Sequence, residues 1–133
     1  MMTVNYEETP EFQKDFKRLR KRFRTLPEDL KRAKVNAIEL LHIHKINNRS
    51  VFFIPNFCSK DVKTCKLKKV ACRALKGRGA KSGIRIIYVF LQKSRRVVFI
   101  EIYFKGDKKR EDYGRIKKYL KSLTSPTQPS SDF

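Results

Sequence analysis

The apolar positions of the N-terminal third of the chain repeat at the spacing of an α-helix. The pair Thr9-Pro10 is typical of a helix start, with threonine as the N-cap and proline as the first helical residue. Apolar side chains then recur every three or four positions along one helix face, and these are Phe12, Phe16, Leu19, Phe23 and Leu26. Residues 25–28 (Thr-Leu-Pro-Glu) have the pattern of a capping box that opens a second helix. The pattern therefore predicts an antiparallel helical hairpin, preceded by a short strand at residues 4–6.

The middle of the chain alternates between apolar and polar positions, as half-buried strands do. Strands are predicted at residues 68–75, 84–91 and 97–104, and the short connection at 92–96 is typical of a hairpin. Residues 51–54 are apolar and fit either a short strand or a packed loop. In the third strand, strict alternation places Ile100 and Ile102 on a core face and Phe99 and Tyr103 on the opposite face, which we interpret as a working surface.

Helical spacing returns near the C-terminus. The pair Gly106-Asp107 ends the third strand, and Tyr113, Ile116 and Leu120 then lie on one face of a final helix. Residues 122–133 are rich in Ser, Thr and Pro, which is typical of a disordered tail. The elements predict one α+β domain over residues 1–121, with an N-terminal helical hairpin packed on a mainly antiparallel sheet of three to four strands and a C-terminal helix.

The net charge of the chain is the property that indicates most about its binding partners. The chain has 133 residues with 33 Lys+Arg against 13 Asp+Glu, a formal net charge of +20 and a pI near 10.2. Such an excess favours an acidic partner, above all nucleic acid, and otherwise an acidic protein or an anionic membrane surface. The longest apolar run, residues 86–91, is too short for a membrane span, and the first residues do not form a signal peptide. We therefore expect a cytoplasmic protein without a membrane partner.

The cysteines do not indicate a metal site. Cys58, Cys65 and Cys72 are each seven residues apart, whereas zinc sites usually contain closer pairs. His42 and His44 are better explained as surface or capping residues near the end of the second helix. The sequence thus predicts reduced thiols, no metal and no cofactor.

The strongest candidate for a functional site is a predicted loop that is basic and rich in glycine. Residues 76–83 read Lys-Gly-Arg-Gly-Ala-Lys-Ser-Gly and lead directly into a strand that carries Arg85. Glycine allows the backbone to approach another chain closely, and the cations suit a phosphate backbone. Residues 60–81 contain nine basic residues and only Asp61 as an acid, which favours an RNA track over a lysine-protected strand edge. The predicted RNA-binding residues are Lys66, Lys68, Lys69, Arg73, Lys81, Tyr103 and Lys105.

These segments resemble the RelE/ParE superfamily of bacterial type II toxins over most of residues 3–121. The resemblance is carried by the helix pair, by residues 82–88 (Ser-Gly-Ile-Arg-Ile-Ile-Tyr) and by residues 97–105, a strand that ends in lysine. It implies a RelE-like fold, a cognate antitoxin with an acidic or amphipathic segment, and metal-free cleavage of mRNA on the ribosome. By the family pattern, Lys76, Arg78, Arg85 and Tyr113 are the candidate catalytic residues, whereas Gly106 departs from the basic residue expected there.

In metal-free RNA cleavage the ribose 2′-OH attacks the phosphate, and fixed cations stabilise the charge that develops. Arg85 is assigned to bind the scissile phosphate, and Arg78 is assigned to stabilise the same charge. Lys76 either stabilises that charge too or acts as the base, if neighbouring cations lower the pKa of Lys76. Three alternatives stay open at this point. Arg85 forms a structural salt bridge with Glu101; the protein is a ParE-like inhibitor of DNA gyrase; or it is a basic RNA-binding protein without enzymatic activity.

Overall fold

A computed structural model describes residues 3–75 and 82–124 of the chain. Its strands are β1 (Asn5–Glu8), β2 (Val51–Cys58), β3 (Val62–Leu67), β4 (Ile84–Leu91) and β5 (Arg96–Phe104). Its helices are α1 (Pro10–Arg22), α2 (Leu26–Ala33), a π-helical segment (Lys34–Glu39) that continues α2, the short α3 (Leu40–His42) and α4 (Tyr113–Thr124). The order of helices and strands confirms the predicted α+β class.

The strands form one mixed sheet in the order β1-β5-β4-β3-β2. The pairs β2–β3, β3–β4 and β4–β5 are antiparallel, and β1 adds to β5 in parallel. The sheet therefore has five strands in the described part of the chain, where three to four were predicted. β4 and β5 occupy its interior, and β2 forms one of its edges.

Helices cover both faces of this sheet. On one face, Phe12 and Leu19 of α1 and Leu30 of α2 pack with β4 and β5 residues in the larger apolar cluster. On the other face, Ile116 of α4 packs with Ile87 and other residues of β4 and β5 in a second cluster. Strands in the middle of such a three-layer arrangement are buried on both sides, which explains the near-continuous apolar runs of β4 and β5.

Several local predictions are confirmed. The Thr9 hydroxyl accepts a hydrogen bond from the Phe12 amide at 3.2 Å, and Pro10 is the first residue of α1. β4 has the predicted bounds, and β5 begins one residue earlier than predicted. The first strand exists but lies at Asn5–Glu8 instead of residues 4–6. These elements are set by short-range signals, so the sequence alone identifies them.

The strand predicted at residues 68–75 is wrong. β3 lies just before it, at Val62–Leu67, and the following residues form an irregular segment. Val70 and Cys72 are buried, so the apolar alternation is real. The backbone amides of Arg73 and Ala74, however, donate to the Asp29 carboxylate and the Thr25 hydroxyl rather than to a neighbouring strand.

The capping box predicted at residues 25–28 is also wrong. Thr25 precedes α2, but its side chain does not bond to the helix amides. Instead, its hydroxyl donates to Asp29 at 2.7 Å and accepts from the Ala74 amide at 2.8 Å. The residue that resembles a local cap therefore anchors a distant segment of chain to α2.

The predicted division of β5 into a core face and a working face is wrong, because the strand contains a bulge. The register with β4 shifts so that Ile87 is opposite Glu101 while Tyr88 is opposite Phe99, which leaves Ile100 as the extra residue. Phe99 therefore joins the cluster below α1, and Tyr103 joins the cluster below α4. Both faces of the strand are buried, so neither is a free surface.

The C-terminal helix agrees with the prediction, except at its end. Gly106 follows β5 in a turn, and α4 then extends from Tyr113 to Thr124. Residues 122–124, which we predicted to belong to the tail, are helical. The remainder of the predicted tail, residues 125–133, lies outside the described residues. The described part of the chain contains no helix that is long and apolar enough to cross a membrane.

Candidate RNA-binding site

A serine and a glycine position the start of β4. Ser82 is fully buried, and its hydroxyl donates to the Val70 carbonyl and accepts from the Ile84 amide. Gly83 follows with a φ of +88°, where an added Cβ would lie 3.2 Å from the Phe104 ring. The Ser-Gly pair of the sequence pattern thus fixes the backbone directly before Arg85, and a side chain at position 83 would be strained.

Arg85 is held on a rigid interior strand. It is the second residue of β4, lies opposite Tyr103 of β5 and is partly exposed. Its Nη1 donates to the Lys68 carbonyl at 3.1 Å and to the Ile84 carbonyl at 3.4 Å. These bonds orient the guanidinium without neutralising it, because a carbonyl oxygen carries no formal charge.

The alternative of a salt bridge between Arg85 and Glu101 is wrong. Glu101 is only 2% exposed and accepts hydrogen bonds from Lys108 Nζ and from the Asp112 amide. Within residues 3–75 and 82–124, Arg85 has no carboxylate partner. The remaining N–H groups of its guanidinium are available to an anion, and their planar arrangement matches two phosphate oxygens.

Lys68 lies beside Arg85 and is tied to the sheet edge. Its amide donates to the Ser50 carbonyl at 2.9 Å, and its own carbonyl accepts the bond from Arg85. Its ammonium lies 4.5 Å from the centre of the Phe52 ring, a cation–π distance. The structure therefore brings together Lys68 and Arg85, two cations that the sequence marked as functional, and adds an aromatic ring.

Lys66, in contrast, is neutralised. Its Nζ contacts Glu111 Oε1 at 2.7 Å, with side-chain exposures of 17% and 6%. Burial alone would raise the pKa of Glu111, but its hydrogen bonds and the charge of Lys66 outweigh burial, and this pKa is lowered overall. Burial likewise opposes the charge of Lys66, yet its hydrogen bonds to Glu111 and Tyr103 raise its pKa overall. Both partners stay ionised and bound to one another.

The position of Tyr103 does not support the predicted role of this residue in RNA binding. The side chain is 4% exposed, and its hydroxyl donates to Glu111 Oε1 at 3.3 Å. A ring enclosed in this way cannot stack on a nucleotide base. Together with Lys66 and Glu111, Tyr103 forms a buried polar network between the sheet and the segment that leads into α4.

The other predicted residues are dispersed. Lys69 is exposed and lines a shallow pocket of about 140 Å³ next to Asp29, on the side of α2. Arg73 is exposed on the segment that α2 anchors. Lys105 is exposed just after β5, and its amide donates to the Gly83 carbonyl at 2.8 Å, near the start of β4. The predicted positions Lys76, Arg78 and Lys81 lie outside the described residues.

Tyr113 begins α4 and remains 38% exposed. Its ring centre lies 5.7 Å from that of Phe57, and the Arg110 guanidinium lies 5.5 Å from it. No hydrogen bond joins Tyr113 to Arg85 in the part of the chain that the structure describes. Its assignment as a catalytic residue therefore stays a prediction.

Two residues of this site were missed from the sequence. Glu111, which neutralises Lys66, is 45 positions away along the chain, so no local pattern connects them. Phe52 is 43% exposed on β2 and was considered only as part of an apolar run. The adjacent pair Phe52-Phe53 does not reveal this exposure, since neighbouring strand residues point to opposite faces and both rings are buried in an interior strand.

The thiols and imidazoles do not form a metal site. Cys58 is exposed, while Cys65 and Cys72 are buried. Among residues 3–75 and 82–124, no group of three or more metal-ligating side chains lies together.

Similarity to known proteins is found at the level of structure. No protein-family model and no curated protein sequence matches this chain. Among solved structures, the chain is similar to the archaeal RelE–RelB complex from Pyrococcus horikoshii OT3. The sequence identity is 14% and the TM-score is 0.49, over 80% of this chain and 100% of the matched one.

Proposed function

We propose that this protein is the toxin of a type II toxin–antitoxin system and that it cleaves mRNA, on the ribosome, without a metal ion. Two observations support the proposal from different directions. Residues 82–88 resemble the most specific motif of the RelE/ParE superfamily, and the arginine of that motif is the partly exposed Arg85. The net charge of +20 suits a polyanionic substrate.

The observation that carries the proposal is the state of Arg85. Its guanidinium is oriented by two carbonyl oxygens and is not bonded to a carboxylate among the described residues. Charged side chains that are fully buried are almost always paired, whereas Arg85 is partly exposed and keeps its charge without a carboxylate partner among the described residues. An oriented and unneutralised arginine is instead suited to bind a phosphate group.

In the proposed reaction the 2′-oxygen attacks the neighbouring phosphorus as its proton passes to a base. The bond from phosphorus to the 5′-oxygen breaks, and that oxygen takes up a proton, so the products are a cyclic phosphate and a 5′-hydroxyl. Arg85 binds the phosphoryl oxygens and stabilises their charge most in the transition state. Lys68, whose carbonyl is bonded to Arg85, adds a second positive charge on the same face of the sheet, and Lys76 and Arg78 remain proposed contributors.

The proposed antitoxin binds the same positive charge. An acidic, amphipathic segment laid over Lys68 and Arg85 would neutralise the cations that RNA requires. Toxicity would then be suppressed without any change in the fold of the toxin.

The decisive experiment compares Arg85→Ala with Arg20→Ala during a brief pulse of expression, with transcript ends mapped. Arg20 is exposed on α1, so its substitution removes one positive charge away from the site. We expect new transcript ends with the wild type and with Arg20→Ala. We expect cleavage by Arg85→Ala to fall by about a hundredfold or more, since it loses a transition-state donor.

Equal cleavage by a folded Arg85→Ala protein would refute the assignment of Arg85. Intact transcripts combined with supercoiling defects would instead identify a ParE-like inhibitor of gyrase. RNA binding without any cleavage would identify a non-enzymatic RNA-binding protein. Thermal unfolding of both variants establishes that they are folded.

A further inference from the structure

Phe52 is an exposed aromatic ring on the face of the sheet that carries Arg85. It lies on the edge strand β2, directly opposite Lys66, and 43% of the residue is exposed. Ile54, two positions later, packs into the cluster below α4, so Phe52 lies on that same face. An apolar ring left in water at a sheet edge loses the benefit of burial and exposes the strand to unwanted pairing.

Lys68 connects this ring to Arg85. Its ammonium lies 4.5 Å from the ring centre, its amide is bonded to Ser50 of the segment entering β2, and its carbonyl accepts the bond from Arg85. Phe52 lies opposite Lys66 of β3, which lies opposite Ile87 of β4, two residues from Arg85. The Cα atoms of Phe52 and Arg85 are therefore roughly 12 Å apart. Both residues contact Lys68: Phe52 contacts the lysine ammonium, and Arg85 donates to the lysine carbonyl.

An aromatic ring in contact with one cation, on the sheet face that carries a second cation, is the composition of a binding site for single-stranded nucleic acid. Bases stack on aromatic rings largely regardless of sequence, and cations hold the phosphates that connect them. Bases within an A-form duplex are already stacked and paired, which leaves single-stranded RNA as the form that can use an exposed ring.

We propose that Phe52 is a stacking platform for an unpaired RNA base, with Lys68 and Arg85 binding the adjacent phosphates. This inference rests on the proposed function in taking RNA as the ligand, but it concerns binding and not cleavage. Phe52 is a positioning residue that fixes one nucleotide, so that the phosphate of the neighbouring nucleotide is presented to Arg85.

Phe53 supplies a matched control. It follows Phe52 on β2, is 50% exposed and lies opposite Cys65, a residue of the cluster on the other face of the sheet. The two phenylalanines thus have nearly equal exposure on the same strand but face opposite sides. Among the described lysines, one places its ammonium over the Phe52 ring and none over the Phe53 ring.

The test measures binding of a short, labelled single-stranded 2′-O-methyl oligoadenylate by fluorescence anisotropy. Methylation removes the 2′-OH nucleophile, so binding is observed without cleavage. The Phe52→Leu variant retains apolar bulk but has no π face, and we expect it to bind roughly tenfold more weakly. Phe53→Leu should bind as the wild type does, and Phe52→Trp should bind at least as tightly.

Two further measurements separate stacking from a structural effect. With an abasic oligonucleotide of the same length, Phe52→Leu and the wild type should bind equally, because there is no base to stack. The slope of affinity against salt concentration should be the same for both, because the phosphate contacts are retained. Thermal unfolding of each variant shows whether the fold is intact. If Phe52→Leu is unstable, Phe52→Met, which also lacks a π face, is the second variant.

Unchanged binding by Phe52→Leu, or an equal loss with the abasic oligonucleotide or with Phe53→Leu, would overturn the proposal. Loss of affinity for a protein partner, with RNA affinity retained, would also overturn it and assign the ring to a protein interface. Phe52-dependent binding in a protein that leaves transcripts intact would support the stacking site and refute the nuclease function.

Discussion

His42 is a buried, uncharged histidine. It ends the short helix α3, is 7% exposed and shares a hydrogen bond of 2.7 Å between its Nε2 and the Tyr88 hydroxyl. Its ring stacks on Phe90 at 4.1 Å. Burial, with a smaller contribution from the charge of Lys45, lowers the pKa of His42 from 6.5 to about 4. This residue is therefore not the surface histidine that the sequence indicated.

The lowered pKa makes the stability of the fold depend on pH. The unfolded chain binds a proton at His42 more tightly than the folded chain does. The contribution of neutral His42 to the free energy of unfolding is therefore fully present above pH 6.5 and is lost as the pH decreases toward 4. Between pH 7 and pH 5 we expect His42 to reduce the free energy of unfolding by about 2 kcal/mol. Urea unfolding at a series of pH values measures this loss.

Two variants isolate this effect. His42→Gln removes the titrating group while retaining a hydrogen-bonding side chain, so its stability should vary less between pH 7 and pH 5. His44→Gln, at an exposed position two residues later, should retain the wild-type dependence. An identical pH dependence of the wild type and His42→Gln would contradict the assignment.

At the scale of elements, the sequence predicts best what is decided locally. The start of α1 at Thr9 and the bounds of β4 follow from capping and alternation, and both are confirmed. The segment after β3 also alternates, with Val70 and Cys72 buried. It is not a strand, because its amides bond to side chains of a distant helix. Alternation reports which side chains are buried, and it does not report where the backbone hydrogen bonds go.

The site was predictable to a similar extent. The sequence correctly places Arg85 near the start of a strand. The neutralisation of Lys66 by Glu111 and the burial of Tyr103 depend on contacts between distant segments and on the bulge in β5. The exposure of Phe52 depends on β2 lying at the sheet edge, which no local pattern specifies.

The attachment of residues 68–75 to α2 depends on Asp29, a carboxylate that is 1% exposed. It accepts hydrogen bonds from Thr25, Arg32 and the Arg73 amide. Asp29→Ala leaves these donors without their acceptor, and we expect it to reduce the free energy of unfolding by about 2–3 kcal/mol. Urea denaturation provides the measurement.

The neighbouring carboxylate is the control for this substitution. Glu28 is exposed, and its ion pair with Lys31, at 3.5 Å, joins two side chains that are 64% and 73% exposed. Such a pair contributes little in water, so Glu28→Ala should cost less than about 1 kcal/mol. Equal losses from the two substitutions would show that helix charge, and not the anchored segment, accounts for the role of Asp29.

For the whole molecule, the dominant property is uncompensated positive charge. The chain carries 33 basic and 13 acidic residues, and most acids of the described segments already pair with a base, as Asp15 does with Arg115 and Glu7 with Arg96. The remaining cations repel one another when the chain is compact. A bound polyanion relieves this repulsion, so the charge that favours a polyanionic partner also lowers the stability of the free protein.

This repulsion predicts that sodium chloride stabilises the fold. Raising the ionic strength from about 0.01 M to about 0.1 M shortens the Debye length from about 30 Å to about 10 Å, which screens the repulsion between distant cations. We expect Tm to rise by a few degrees over this range. The double variant Lys14→Glu with Lys17→Glu, at exposed positions of α1, lowers the positive charge and should give a smaller rise. If Tm falls as salt is added, attractive ion pairs such as that between Arg115 and Asp15 outweigh the repulsion, and the charge excess does not limit stability.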